Sequence, residues 1–573
     1  TIGARGSNKG YGGNVYLNGQ QGKLSYSLNV MHSKMSPGNS HTEGVRTQGD
    51  ESIVSISNGK PSMPFTMGNL SLEYEINPLT SVGASFAVNT FKMSVDGSSY
   101  TGMTGGAFGS GFEYTGNTWM KNNRTGLSGS VDFSRYFDTE RKNRFILTYQ
   151  ISNQDSHNTS INDFSVTGDA PIDLTDRESD NKESTTEHVF QADFSLRPND
   201  KNSVAFGAKL MLRKASSDSK YFLDDVLNDS QSLLYDNSNK IGAAYGEYSF
   251  STDKIGAKAG LRYEYTWQEI EYRKGNGKDF SKDYGTLVPS ASLSYTLSPI
   301  NNIGLTYNMR IARPGISYLN PYVDNSTPTM VSYGNPNLDV EKAHNISLVY
   351  NYFSPKLILN ATLTDNYTGN GIEQFSFYND GVLNSTYGNI VKRNKIGINT
   401  YLNWMVSPKT RIFLNGNVSY VDMRSSKLDA KNSGWQGNAM VGVQQTLPWN
   451  IKGGLFLITS SKNYTLQGWS SGFNMISANL SKSLLNDKLS ISLGFNTGLS
   501  KNGNINMETY SQSKDFTNRQ TVKVPMTTFT VGVTYTIGSF KAKTRSNKKT
   551  IDSDYIEQKS QMEQLNNNME TGY

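Results

Sequence analysis

The stretch Ile255-Gly256-Ala257-Lys258-Ala259-Gly260-Leu261-Arg262-Tyr263-Glu264-Tyr265-Thr266-Trp267 alternates without a break. Odd positions carry Ile, Ala, Leu, Tyr and Trp; even positions carry Gly, Lys, Arg, Glu and Thr. Period-2 alternation is the mark of a strand, so one face is apolar and aromatic while the other is small, polar or charged. The rhythm returns where Ala291, Leu293, Tyr295 and Leu297 alternate with Ser290, Ser292, Ser294 and Thr296. It returns a last time where Phe529, Val531, Val533, Tyr535 and Ile537 alternate with Thr528, Thr530, Gly532, Thr534 and Thr536. Sandwich strands alternate too, but usually over about five or six residues. Many of these runs reach about ten or more, the length a tilted strand needs to cross a bilayer.

The connections carry a second rhythm. Short turns such as Asn77-Pro78-Leu79-Thr80, Pro198-Asn199-Asp200-Lys201, Ser251-Thr252-Asp253-Lys254 and Leu485-Asn486-Asp487-Lys488 alternate with long polar stretches, among them 33–63, 93–123 and 153–187. Outer-membrane barrels alternate in this way, with short periplasmic turns and long extracellular loops. The count predicts an all-β, antiparallel, up-and-down transmembrane barrel of about 22 strands, with expected strands that include 64–76, 81–94, 124–137, 144–153 and 521–538. Phe137, Phe250, Phe353, Trp404 and Trp449 lie beside short turns, as an interfacial aromatic girdle requires.

Composition agrees. The mean hydropathy is −0.54, yet 33 Tyr, 25 Phe and 53 Gly against 16 Pro are not the signature of a disordered chain. No apolar run approaches the ~18 residues of a spanning helix, so a membrane crossing must be made by a closed barrel. Cysteine is absent, which excludes disulfides, thiolate metal sites and thiol nucleophiles. The formal charge of +6 is spread thinly, apart from a basic run from Lys541 to Lys549, and speaks against nucleic acid as a partner. His32, His41, His157, His188 and His344 are scattered without metal-site spacing, and no nucleophile elbow is present; neither an enzyme nor a cofactor is expected. The glycines Gly102, Gly105, Gly106, Gly109 and Gly111, with Phe108, Phe112 and Tyr114 between them, are expected to form a mobile extracellular loop and a contact surface.

Two groups of residues are candidates for the functional site. On the polar phase of the opening stretch, Lys258, Arg262 and Glu264 must face the lumen, because a charge on the lipid face costs about 2–4 kcal/mol near the midplane. They are expected to form a salt-bridge ladder that stiffens the wall or holds an occupant. The second group follows the thirteenth strand: Arg313-Pro314, then Leu319-Asn320-Pro321, then Gly334-Asn335-Pro336 with Leu338, and Glu341 opening the next strand. Pro and Gly fix turns and Asn tolerates left-handed backbone, so these residues are expected to build a structured loop base rather than touch substrate.

This second group resembles the R-P…L-N-P…G-N-P-x-L…E pattern of TonB-dependent receptor barrels in the Bacteroidota outer-membrane β-barrel family. The resemblance implies an outer-membrane transporter barrel for energised uptake of a nutrient, whether an iron chelate, an oligosaccharide or a peptide. The alternative is a structural barrel that scaffolds an export or assembly complex. In that family a plug domain precedes the barrel, and neither a plug nor a TonB-pairing segment lies in this chain. An empty barrel of this width would breach the membrane, so a plug encoded before Thr1, or a plugging partner chain, is expected in the lumen. The TonB system and a surface lipoprotein are the further partners implied, beside outer-membrane lipid. Residues 1–540 are expected to form the barrel and 541–573 a periplasmic C-terminal tail.

Overall fold

The computed structural model describes residues 1–538 except 168, 276 and 380, together with residues 555–556. Twenty-two strands form one closed antiparallel barrel. The first eleven are Ile2–Ser7, Gly10–Gln21, Leu24–Met35, Glu51–Asn77, Thr80–Thr104, Phe112–Tyr136, Arg144–Val166, Arg177–Leu196, Asn202–Leu223, Leu233–Ser251 and Ile255–Lys274. The remainder are Phe280–Ser298, Asn301–Pro314, Glu341–Phe353, Leu357–Asn379, Val382–Ser407, Thr410–Ser425, Ala430–Leu447, Ile451–Ser460, Asn474–Leu484, Leu489–Gly498 and Thr528–Tyr535. The last strand closes on the first, in register from Ile2 opposite Tyr535 to Ser7 opposite Thr530.

Alternation decides which face meets lipid. On Ile255–Lys274, Leu261 and Tyr263 are 50% and 49% exposed while Glu264 between them and Tyr265 is 3% exposed. The apolar phase is therefore the outer surface, and the polar phase lines the lumen. Trp449, Phe137, Phe353 and Trp404 stand exposed beside the periplasmic turns. Those turns are held by their own side chains. Asp138 accepts the main-chain N–H groups of Lys142 at 2.8 Å and Asn143 at 2.7 Å, and Asn199 Oδ1 accepts those of Lys201 and Asn202 at 3.0 Å.

Several expectations need correction. The strands placed at 64–76, 81–94, 124–137 and 144–153 run on as Glu51–Asn77, Thr80–Thr104, Phe112–Tyr136 and Arg144–Val166. Beyond the bilayer both faces of a hairpin are wet, so the apolar phase disappears from the sequence although the backbone ladder continues. Nor is the short–long alternation strict, since Asn8-Lys9 alone joins the first two strands on the extracellular side. Finally, the aromatics of the glycine cluster are no contact surface: Phe108 and Tyr114 are buried with Ile53 and Met103. Gly105 has φ 79°, and a Cβ there would lie 2.1 Å from the Asp50 carbonyl oxygen, which is why the turn needs glycine.

Above the short strands at the closure stands a second tier of wall. Ser40–Gln48 pairs with the upper part of Glu51–Asn77 and, on its other edge, with Phe516–Pro525. Phe516–Pro525 pairs with Asn504–Gln512, which pairs in turn with Gly468–Ser470. The single strand expected at 521–538 is therefore two. Pro525, without an N–H, ends the upper one, and Thr528–Tyr535 belongs to the barrel.

Candidate functional site

Period-2 geometry sends the charged side chains of several neighbouring strands into one part of the lumen. Lys258 Nζ lies 3.0 Å from Glu247 Oε1, and Arg262 contacts Glu264. Arg313 reaches the same carboxylate from the thirteenth strand, its Nη2 donating to Glu264 Oε2 at 2.5 Å. Nearby, Arg213 Nη1 donates to Glu187 Oε2 at 3.2 Å, and Tyr245 donates to Asp193 beneath the Arg262 guanidinium. The three lumen candidates thus join a wider set of polar contacts that includes Glu187, Arg213 and Asp193, of which the Arg313–Glu264 and Arg213–Glu187 pairs are buried. Those three occupy the inward phase of their own strands, and the same alternation could have found them.

The structure also joins the two candidate groups. Arg313, at the head of the loop motif, is 2% exposed and bound to Glu264 of the lumen group. The loop it opens does not stay at the rim. Ile316–Leu319 forms one helical turn whose Ile316 and Leu319 are buried with Tyr221, Tyr235 and Ile270 on one side and Ile372 and Tyr387 on the other. Asn320 Nδ2 donates to Ser217 Oγ at 2.9 Å, and Tyr322 shares a 3.1 Å hydrogen bond with Ser179. Met330–Ser332 pairs in parallel with Leu383–Ser385, and Thr329 meets Arg46 of the upper tier. The loop therefore crosses the lumen from its base on the thirteenth and fourteenth strands to the far wall. The expected loop base is the strut of a roof.

Each motif residue has a place in that strut. Gly334 lies against the carbonyls of Asn320 and Tyr318, and a Cβ there would sit 2.5 and 2.6 Å from them. The Asn335 main-chain N–H donates to the Tyr318 carbonyl at 2.7 Å, and its side-chain amide donates to the Tyr387 carbonyl at 3.0 Å. Leu338 is buried in the cluster under the loop. Glu341 accepts the Ile372 N–H at 2.5 Å, tying the loop's exit to the fifteenth strand. Pro314 is paired through its main chain, and Pro321 and Pro336 interrupt the helical turn and the return. Two further contacts complete the roof. Gln48 donates to the Gly381 carbonyl at 3.2 Å, and Gln467 exchanges hydrogen bonds of 2.7 and 2.9 Å with the Ser376 main chain. Burial lowers the Arg46 guanidinium to about 10, which leaves it charged at neutral pH.

Beneath the roof lie two polar hollows. One of about 240 Å³ is lined by Arg124, Asn158, Asn181, Asn320, Tyr322 and Gln374 among others. The second, about 610 Å³, is walled by Asn345, Asn366, Arg393, Lys395 and Asn417. Asparagines link neighbouring strands here, as in Asn345 to Asn308 at 3.2 Å and Asn417 to Asn438 at 2.7 Å. Of the residues expected in the periplasmic tail, Tyr555 and Ile556 lie in the lumen beside Arg313, and the remainder fall outside the described residues.

The fold is similar to that of several solved receptors and transporters. The ferric yersiniabactin uptake receptor FyuA of Yersinia pestis superposes with a TM-score of 0.65 at 14% identity, covering 93% of this chain and 79% of that one. The ferric-catecholate import receptor Fiu of E. coli K12 gives 0.61 at 13%, covering 93% and 81%. The FrpB iron transporter of Neisseria meningitidis gives 0.58 at 9%, again covering 93% and 81%. A search of curated proteins finds no match. The sequence profile of the outer membrane protein beta-barrel family matches residues 135–535. With that match over most of the chain and a closed 22-stranded barrel around a polar lumen, the chain belongs to the outer membrane protein β-barrel family.

Proposed function

We propose that this barrel is the membrane-spanning part of a TonB-dependent transporter that takes up a scarce nutrient too large for simple diffusion. The observation that carries the reading is the roofed lumen. A wall lined with buried ion pairs and amides, crossed by the 315–340 loop, suits gated passage of a polar solute better than open diffusion. The three structural neighbours described above are named for uptake of ferric chelates or iron, and a ferric chelate heads the substrate classes, followed by oligosaccharides and peptides. A plug domain, or a plugging partner, occupies the lumen against Lys258, Arg262 and Glu264. A polar wall can hold such a domain without stranding unpaired charge. The TonB system supplies the energy, and a surface lipoprotein is a further partner.

The test is a deletion strain grown with iron chelate, oligosaccharide or oligopeptide as the limiting nutrient. Loss of growth on one class, restored by the intact gene and abolished by a protonophore, supports the reading. Normal growth on all three with impaired display of surface proteins would replace it with the scaffold role.

A further inference from the structure

The thirteenth strand has an edge that its neighbour leaves open. Asn301–Pro314 pairs with Phe280–Ser298 only as far as Asn308 opposite Ser290, while its pairing with Glu341–Phe353 continues to Ala312 opposite Glu341. Beyond Asn308 the strand leans into the lumen, and among the described residues the ladder on its open edge is resumed by Tyr555 and Ile556, which run parallel to Arg313 and Pro314. An unpaired strand edge is a template for an added extended segment.

The wall beside this edge is unusual for a wet lumen. Val189, Met211 and Ile241 sit opposite one another on three adjacent strands, all on the inward phase. They are 0%, 1% and 4% exposed, and the Tyr555 ring packs on them. The Arg213 guanidinium lies 3.7 Å from the centre of that ring, and Glu187 holds the guanidinium in place. An apolar patch, an oriented cation and an open edge converge on one aromatic side chain in extended backbone. A cation over a tyrosine face is favourable, most of all where water is excluded.

We propose that this is an internal docking site whose ligand is the chain's own C-terminal segment. Strand addition along Arg313–Pro314 holds the segment, and Tyr555 is its anchor between Arg213 and the Val189–Met211–Ile241 patch. The site lies where the roof loop begins, so the bound segment rests against the loop's base and competes with any other extended segment entering the lumen. This inference does not rest on the transport reading, because the docking would hold equally in a scaffold barrel.

The absence of native cysteine makes the test clean. In the full chain, in its outer membrane, Ile556→Cys, which keeps the Tyr555 anchor, is combined with Pro314→Cys, its partner in the parallel pairing, and treated with a short thiol crosslinker. Ile556→Cys with Leu210→Cys, on the lipid face of the wall, is the control. The expected result is an intramolecular crosslink in the first pair and none in the second. A companion measurement follows maleimide labelling of Met211→Cys, which should rise several-fold when Tyr555→Ala is added. Both variants must retain the heat-modifiable mobility of a folded barrel. Absence of the 556–314 crosslink in the folded protein overturns the proposal. So does labelling of Met211→Cys that Tyr555→Ala does not change, since another segment would then cover the patch.

Discussion

Arg313 Nη2 donates to Glu264 Oε2 at 2.5 Å, and both side chains are almost wholly buried. One residue heads the loop that crosses the lumen, and the other belongs to a strand two places round the wall. The pair therefore fixes the roof's root to the barrel. Removing one partner of a buried pair costs about 3–5 kcal/mol when it strands the other charge, and less here because Glu264 keeps Arg262. Arg313→Ala should lower the urea midpoint of the refolded barrel accordingly. The double variant Arg313→Met with Glu264→Gln should recover part of the loss, although Arg262 then loses its partner on Glu264. Equal stability of the single variant and the parent would show that the contact does not bear on the fold.

The assignment of faces is tested by charge insertion. Leu261→Arg or Val533→Arg should cost about 2–4 kcal/mol if the site is near the midplane and less near an interface. Thr534→Arg, on the lumen phase beside Val533, should cost much less. Folding into lipid vesicles across a denaturant series gives all three values, and a reversed order would invert the barrel's faces.

Orientation follows from the extensions on one rim. Epitope tags within 40–55 or 165–180 should be reached by antibody on intact cells, and a tag at Asn199 should not be. Surface labelling at Asn199 would turn the barrel over.

The roof makes a prediction of its own. A methyl group at Gly334 would press on the carbonyls of both Asn320 and Tyr318, which cannot give way without opening the strut. Gly334→Ala should loosen the 315–340 loop while the wall stays folded. The readout is greater sensitivity of cells to a large antibiotic, with unchanged heat-modifiable mobility. Unchanged sensitivity would mean that the loop is not the barrier.

The Asp138 turn gives a dependence on pH. The N–H of Lys142, then that of Asn143, hold its carboxyl below the usual value of 3.8, so the charged form is favoured in the folded protein. A depressed carboxylate contributes stability above its unfolded pKa and loses it as pH falls through the folded value. The advantage of the parent over Asp138→Asn should thus be full at neutral pH. It should shrink as pH falls through about 4, where an unperturbed aspartate is close to half protonated. A gap that is constant down to pH 2 would show that charge plays no part.

Much of this was legible in the chain. Ile255–Trp267 declares its two faces residue by residue, and repetition of that pattern located all 22 barrel strands. Where lipid stops, the signal stops: nothing in Ser40–Gln48 or Asn504–Gln512 alternates strongly, and the upper tier went unseen. The 313–341 motif was recognisable as a structured loop, but its inward path depends on distant partners such as Arg46 and Ser217. No local spacing encodes those contacts. Arg213 and Glu187 were missed for a different reason, since their alternation was present but their pairing needs the register between strands.

The closure of the barrel has a consequence for its birth. Only six residue pairs join Ile2–Ser7 to Thr528–Tyr535, and the tier above bridges the same gap by laying Phe516–Pro525 along Ser40–Gln48. Both joints unite residues from opposite ends of the chain, and contacts so distant in sequence form late because the loop they close is long. Until the last strand emerges, the first strands have a bare edge and nothing to pair with. A chain cut short near residue 515 would lose both joints together, leaving an open sheet in place of a cylinder. Quality control at assembly can thus read a single event, the arrival of the last barrel strand, as proof that the cylinder is closed.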